Sequence, residues 1–227
     1  MYKYIGIVGY AGSGKDTLAE MIRQQHPEYI NFKFAGKLKE FCSELFDIPM
    51  EVFESQKLKN EERYFKYNGF VSYLEKFRES CDSVLSIKGG LITERLAVRS
   101  MEVFEASWSE YGLPEFPATP REILQKIGTD VFRDHYSDTI WVDTIDKADK
   151  AIVTDVRFPN EAEKIKESGG ILVRIVNVKQ KNQEIMNHPS EKHIEDIECD
   201  YVICNNGESL EKLKQQAIQL MEAFPLG

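Results

Sequence analysis

None of the four cysteines (Cys42, Cys81, Cys199, Cys204) stands in a C-x-x-C pair, so neither a zinc ribbon nor a disulfide framework is supported. Reduced thiols in a reducing compartment are expected instead. Long apolar runs are also missing near the start, where the uncharged stretch Tyr4 to Ser13 is broken by glycine. It falls short of the roughly 20 apolar residues that cross a bilayer, and no basic region or small-residue cleavage site frames it as a signal peptide. No membrane association is read, and an intracellular, cytoplasmic protein is expected. Positive charge is in deficit, with 29 Lys and Arg against 38 Asp and Glu, a formal net charge of −9. The basic residues scatter from Lys3 to Lys214 without forming a stripe, which argues against a nucleic-acid partner. Repeats and low-complexity segments are absent as well.

What is present suits one domain with an insertion, or two small domains, in 227 residues. Tyr4 to Val8, Ala151 to Thr154, Ile171 to Val176 and Tyr201 to Cys204 are short β-rich runs. Helical patterns separate or follow them: Leu18, Ala19 and Ile22 at helical spacing, Asn160 to Ser168 ending at Gly169-Gly170, and Ser209 to Phe224. Alternating strand and helix implies an α/β fold, a three-layer sandwich with a central parallel sheet. From about 37 to 117 the chain is aromatic, charged and helix-like with few convincing strands, and reads as a helical insertion. Turn signals at Ala35-Gly36 and at Gly112 to Pro117 bound it. Thr119-Pro120-Arg121-Glu122 supplies an N-cap, a first-turn proline and an N3 carboxylate, which predicts a helix through roughly Arg133.

The stretch with chemistry in it is Gly9-Tyr10-Ala11-Gly12-Ser13-Gly14-Lys15-Asp16-Thr17, a G-x-x-x-x-G-K loop after a strand and opening a helix. Glycines let backbone N–H groups converge on phosphate oxygens, and the helix N-terminus adds partial positive charge. Lys15 would reach the β- and γ-phosphates of ATP. Asp16 occupies the place where most such loops carry a Mg²⁺-binding Ser or Thr, and Thr17 comes one position late. That G-K-x-T variant is common in nucleoside-monophosphate kinases. In Thr154-Asp155-Val156-Arg157, at the carboxyl end of a strand, Asp155 would hold Mg²⁺ directly or through water, and Arg157 would clamp a transferring phosphoryl group. A structural Asp–Arg pair capping the next helix is the competing reading of both.

These residues, with Phe34 to Lys39, Arg121 to Arg133, Trp141-Val142, Asp155 to Glu161, His188-Pro189-Ser190-Glu191 and Asn205-Asn206-Gly207, resemble the deoxynucleoside monophosphate kinases of tailed bacteriophages. Those enzymes are relatives of the adenylate kinase class of P-loop kinases. The region from about 46 to 117 carries no motif that can be matched. The resemblance implies transfer of the ATP γ-phosphate to a deoxynucleoside 5′-monophosphate, with ATP and Mg²⁺, in a viral protein acting in a host cytoplasm. It implies ATP contacts at Ala11, Gly12, Ser13, Gly14, Lys15, Asp16, Thr17 and Asn205, with Lys15, Asp155 and Arg157 catalytic and the metal at Thr17 and Asp155. For the acceptor the candidates are Lys37, where the family's substrate-binding portion begins, and Arg121, Gln125 and Arg133, whose spacing of i, i+4 and i+12 puts them on one helix face. A solvated helix face and a plain turn at Asn205 stand as alternatives. Residues 179–200 read as a lid over ATP. His188 is not read as a metal ligand, because no second His or Cys stands at ligand spacing. A homodimer stays open. Two other functions also stay open: a small-molecule kinase resembling phosphomevalonate kinase, and a non-catalytic nucleotide-dependent switch.

Overall fold

A computed structural model describes residues 2–10, 12–55, 57–66, 69–111, 114–177, 194–207 and 209–225. The chain forms two compact units, one from Met1–Phe34 with Ile145–Gly227 and the other from Ala35–Thr144.

The first unit is built on a five-stranded sheet in the order β2-β5-β1-β6-β7, with every pairing parallel. The strands are β1 (Tyr4–Val8), β2 (Ile30–Phe32), β5 (Ala151–Val156), β6 (Ile171–Val176) and β7 (Tyr201–Cys204). Residues of β1 are buried on both faces, as a near-continuous apolar run requires of a central parallel strand. Ile5 and Ile7 join a core with Leu18 and Ile22 of α1 (Lys15–Gln25) and Leu213 and Leu220 of α9 (Leu210–Ala223). Gly6 points the other way, toward α8 (Pro159–Glu167), where a Cβ would lie 2.7 Å from both Ile165 Cδ1 and Leu172 Cδ2. Helices thus cover both faces, giving the three-layer α/β sandwich expected from the alternation. After β1 the chain runs to β2, returns to β5 on that same side, and only then crosses to β6 and β7. The order reverses at β1, so the crevice beyond its carboxyl end is the ligand position for an open parallel sheet.

The second unit holds an aromatic core. Phe77 stacks on Phe132 with ring centroids 5.9 Å apart, Phe41 meets Phe132 edge-on at 5.1 Å, and Trp108 stacks on Phe116 at 4.6 Å. Its helices include α2 (Phe34–Phe46), α3 (Met50–Glu54), α4 (Phe70–Ser80), α5 (Leu91–Trp108), α6 (Pro120–Gln125) and α7 (Ile140–Asp143). Three sequence expectations change here. Ala35-Gly36 is no turn but the first turn of α2, whose leading N–H, from Phe34, donates to the Asp155 carboxylate. The stretch expected to be a turn through Pro117 instead forms β4 (Glu115–Ala118), antiparallel to β3 (Arg63–Lys66). A two-stranded ribbon is all edge, where proline is tolerated, and the burial of Phe65, Phe116 and Ala118 rewards the pairing. The helix from Pro120 stays α-helical only to Gln125 and continues as a π-helix over Lys126–Arg133. The Trp141 indole N–H donates to the Gly128 carbonyl at 3.0 Å inside that segment, and a Cβ on Gly128 would lie 2.6 Å from Leu38 Cδ2. The predicted N-terminus of this helix is present in full: Thr119 Oγ1 accepts from the Glu122 N–H at 3.2 Å, and Glu122 Oε2 accepts from the Thr119 N–H at 2.7 Å.

Candidate active site

The loop between β1 and α1 has the backbone its glycines foretell. Gly12 and Gly14 have φ of 76° and 103°, and Gly14 is the N-cap of α1. The Ser13 N–H closes a turn on the Tyr10 carbonyl at 3.1 Å. Gly9 lies so close to β6 that a Cβ there would meet the Ile175 carbonyl oxygen at 2.6 Å. Lys15 is buried, and its ammonium donates to the Gly9 and Tyr10 carbonyls at 2.6 and 2.7 Å. The Ser13 hydroxyl is buried without a partner among the described residues. Asn205, just after β7, donates its amide to the Ser13 carbonyl at 2.8 Å and thereby braces the loop from the far end of the sequence. Ala11 lies outside the described residues.

Further groups stand at the carboxyl ends of β5 and β2 and on the first turn of α1. Asp155 Oδ1 accepts from the Phe34 N–H at 2.9 Å, which fixes the carboxylate at the strand end. Asp16 Oδ1 accepts from the Thr154 hydroxyl at 3.1 Å and lies 3.3 Å from the Lys33 ammonium. Arg157 follows β5, and the N–H groups of Arg157 and Phe158 donate to Glu161 Oε2 at 2.8 and 3.1 Å. Glu161, only 4% exposed and at the N3 position after Pro159, is the carboxylate that caps α8. Lys15, Asp16, Asp155 and Asn205 therefore belong to one constellation within the first unit, with Thr17 exposed on the first turn of α1.

The residues expected to meet an acceptor all lie in the second unit. Lys37 pairs with Glu40 at 2.6 Å on α2. Arg121 donates its Nε to Asn60 Oδ1 at 2.7 Å, and Gln125 is exposed. Arg133 closes the π segment, so the single α-helical face expected to carry Arg121, Gln125 and Arg133 together is interrupted between the last two. The i→i+5 bonding of a π-helix shifts every later side chain around the axis. His188, Glu191 and the greater part of the expected lid at 179–200 lie outside the described residues. Thr154 and Glu161 stood inside motifs the sequence shows but carried no role there; an N3 acid behind Asn160 and Pro159 was the signal for Glu161, while Lys33 belongs to no motif.

The donor set fits a divalent cation. Among the described residues no group of three or more His, Cys, Asp or Glu side chains stands together as an all-protein metal cage. One or two carboxylates beside a phosphate-binding loop match an ion that keeps most of its water and takes its other ligands from phosphate oxygens. No described helix is long and apolar enough to cross a membrane.

The chain is 27% identical over 251 residues to the deoxynucleoside-5′-monophosphate kinase of Escherichia phage T5, with 98% of each chain covered. It is 26% identical over 236 residues to an Acanthamoeba polyphaga mimivirus protein whose name provisionally ascribes deoxynucleotide monophosphate kinase activity to it, covering 96% of this chain and 95% of that one. The deoxynucleotide monophosphate kinase family model matches residues 3–217, nearly the whole length, and so the chain belongs to that family of kinases.

Proposed function

We propose that the protein transfers the γ-phosphate of ATP to deoxynucleoside 5′-monophosphates, producing diphosphates for DNA precursor synthesis. One observation carries the reading: the phosphate loop opens α1 at the carboxyl end of β1, where the strand order reverses, in a chain that matches the family from 3 to 217.

Phosphoryl transfer asks for positioning and charge neutralisation more than for a covalent catalyst. Backbone N–H groups of Gly12 to Thr17 cradle the ATP phosphates, and Lys15 follows the charge that builds on the β- and γ-oxygens. Asp155, directly or through water, and Thr17 are the residues we assign to Mg²⁺. A divalent ion held there would supply positive charge against the phosphate oxygens. Arg157 supplies a planar fork to the phosphoryl group in flight. Asn205 keeps the loop in its binding shape. Lys37, Arg121, Gln125 and Arg133 are assigned to the acceptor nucleotide, guanidinium groups suiting its phosphate and the amide a base edge. No general base is needed, because the acceptor phosphate is already an anionic nucleophile.

The test is coupled ADP release with ATP and Mg²⁺ against a panel of deoxy- and ribonucleoside monophosphates, mevalonate 5-phosphate and a blank without acceptor. ADP release dependent on a deoxynucleotide is expected. Turnover with mevalonate 5-phosphate alone, or slow hydrolysis indifferent to acceptor, would overturn the assignment.

A further inference from the structure

The register of β2 against β5 sets Phe32 beside Val153, so the next two positions bring Lys33 level with Thr154 and Phe34 level with Asp155. Both residues reach carboxylates of the phosphate site: the Phe34 N–H binds Asp155, and the Lys33 ammonium lies 3.3 Å from Asp16 Oδ1. That same oxygen accepts from the Thr154 hydroxyl at 3.1 Å, so two groups, from β5 and the end of β2, converge on one atom of α1. Asp16 directly follows the phosphate-loop lysine, a place where a bare carboxylate repels the polyphosphate the loop attracts. Stability does not account for the arrangement. The Lys33 and Asp16 side chains are 44% and 71% exposed, and ion pairs so open to water contribute next to nothing to folding.

Position gives the arrangement a use. In the order β2-β5-β1-β6-β7, Lys33 and Thr154 lie on one side of the phosphate loop, while Asn205 reaches it from the other, beyond β6. If the nucleoside end of ATP lies toward Asn205, the γ-phosphate points to the side of β5 and β2, and the acceptor phosphate arrives there. We propose that Lys33 is the acceptor-side cation of this site, contacting the 5′-phosphate of the incoming monophosphate, and that Asp16 is a positioning residue that fixes its ammonium. The proposal rests on the kinase reading of the loop given above. A lysine ammonium carries three donors, and one directed at Asp16 leaves others for phosphate oxygens. The carboxylate in place of Ser or Thr then has a physical reason: it aims a second lysine, and that lysine offsets its charge.

The experiment uses the full chain with Lys33→Met, Lys33→Arg, Asp16→Asn and the Lys33→Met/Asp16→Asn double variant. Steady-state kinetics, calorimetric binding of ATP and of the accepted monophosphate, and thermal melts are measured on each. Lys33→Met should raise the acceptor KM and weaken acceptor binding by about 10- to 100-fold, the loss of one charge-assisted contact, with ATP binding and melting temperature unchanged. Lys33→Arg should recover most of that loss. Asp16→Asn should weaken the acceptor in the wild-type background and add nothing to Lys33→Met. Acceptor binding unchanged in Lys33→Met, or ATP and acceptor weakened alike, would overturn the role of Lys33. An Asp16→Asn penalty of equal size in both backgrounds would overturn the positioning role. Absence of deoxynucleotide turnover in the wild type would mark failure of the underlying kinase reading instead, and is seen before any variant is made.

Discussion

Replacing Gly9 with alanine probes the join between sheet and phosphate loop. Gly9 follows Val8, which lies beside Arg174 in the β1–β6 register, so it sits opposite Ile175. The new methyl would stand 2.6 Å from the Ile175 carbonyl oxygen and 2.9 Å from both Ile175 Cγ2 and Ser13 Oγ. A flexible side chain would step aside, but the carbonyl belongs to a strand held between β1 and β7. Either the two central strands part or the loop shifts, and forced overpacking of this kind costs about 1–3 kcal/mol. Lys15 hangs its ammonium on the Gly9 carbonyl, so the same displacement moves the phosphate cradle. Urea unfolding followed by circular dichroism reads the stability, and calorimetric titration with a non-hydrolysable ATP analogue reads the cradle. Gly169→Ala is the control: with φ at +76° and nothing within 4 Å of its added Cβ, it should lose about 1–2 kcal/mol to backbone strain while keeping nucleotide affinity. Wild-type stability and affinity in Gly9→Ala, or an equal loss of affinity in both variants, would refute the reasoning.

Other expectations follow from local chemistry. A disulfide reagent such as DTNB should react quickly with exposed Cys204 in the native protein and hardly at all with Cys42 and Cys81, whose thiols burial pushes up, that of Cys81 to about 12; equal rates at all four would contradict the packing. Burial works to raise the pKa of Asp200, but the Lys166 ammonium at 2.5 Å and the Leu172 N–H at 2.8 Å outweigh it and hold the carboxyl below its usual value. Its contribution is therefore present above the unfolded carboxylate value, about 3.9, and lost as pH falls through the lower folded one. Asp200→Asn should flatten the acid limb of a stability–pH curve, and an unchanged limb would refute this. Thr119→Ala removes an N-cap and should cost about 1 kcal/mol in urea unfolding; no measurable loss would mean the cap is idle.

The first unit was largely legible in the sequence because its signals are local. A β-branched run, a glycine loop and an amphipathic helix sit side by side between Tyr4 and Gln25, and the later strands are short apolar runs of the same kind. The second unit was read as helical, yet its ribbon was missed because Pro117 in β4 speaks for a turn and only pairing with Tyr64, far back in the chain, makes it a strand. The π segment was equally hidden. Its sequence has ordinary helical spacing, and the long-range partners are the Trp141 indole on the Gly128 carbonyl and Leu38 against Gly128. Within the site, the loop and Asp155 announced themselves by motif. Lys33 did not, since its relation to Asp16 exists only because β2 pairs with β5 across more than half the chain.

The central claim is that this chain moves a phosphoryl group from ATP to a deoxynucleotide, and following the label tests it most directly. Wild-type protein and Lys15→Ala are incubated with Mg²⁺, ATP labelled in its γ-phosphate and each deoxynucleoside monophosphate, and the products are separated by chromatography. Label appearing in a deoxynucleoside diphosphate with the wild type, and falling by orders of magnitude in the still-folded variant, is the predicted result. Label released only as inorganic phosphate, or transfer that survives the loss of Lys15, would contradict the account.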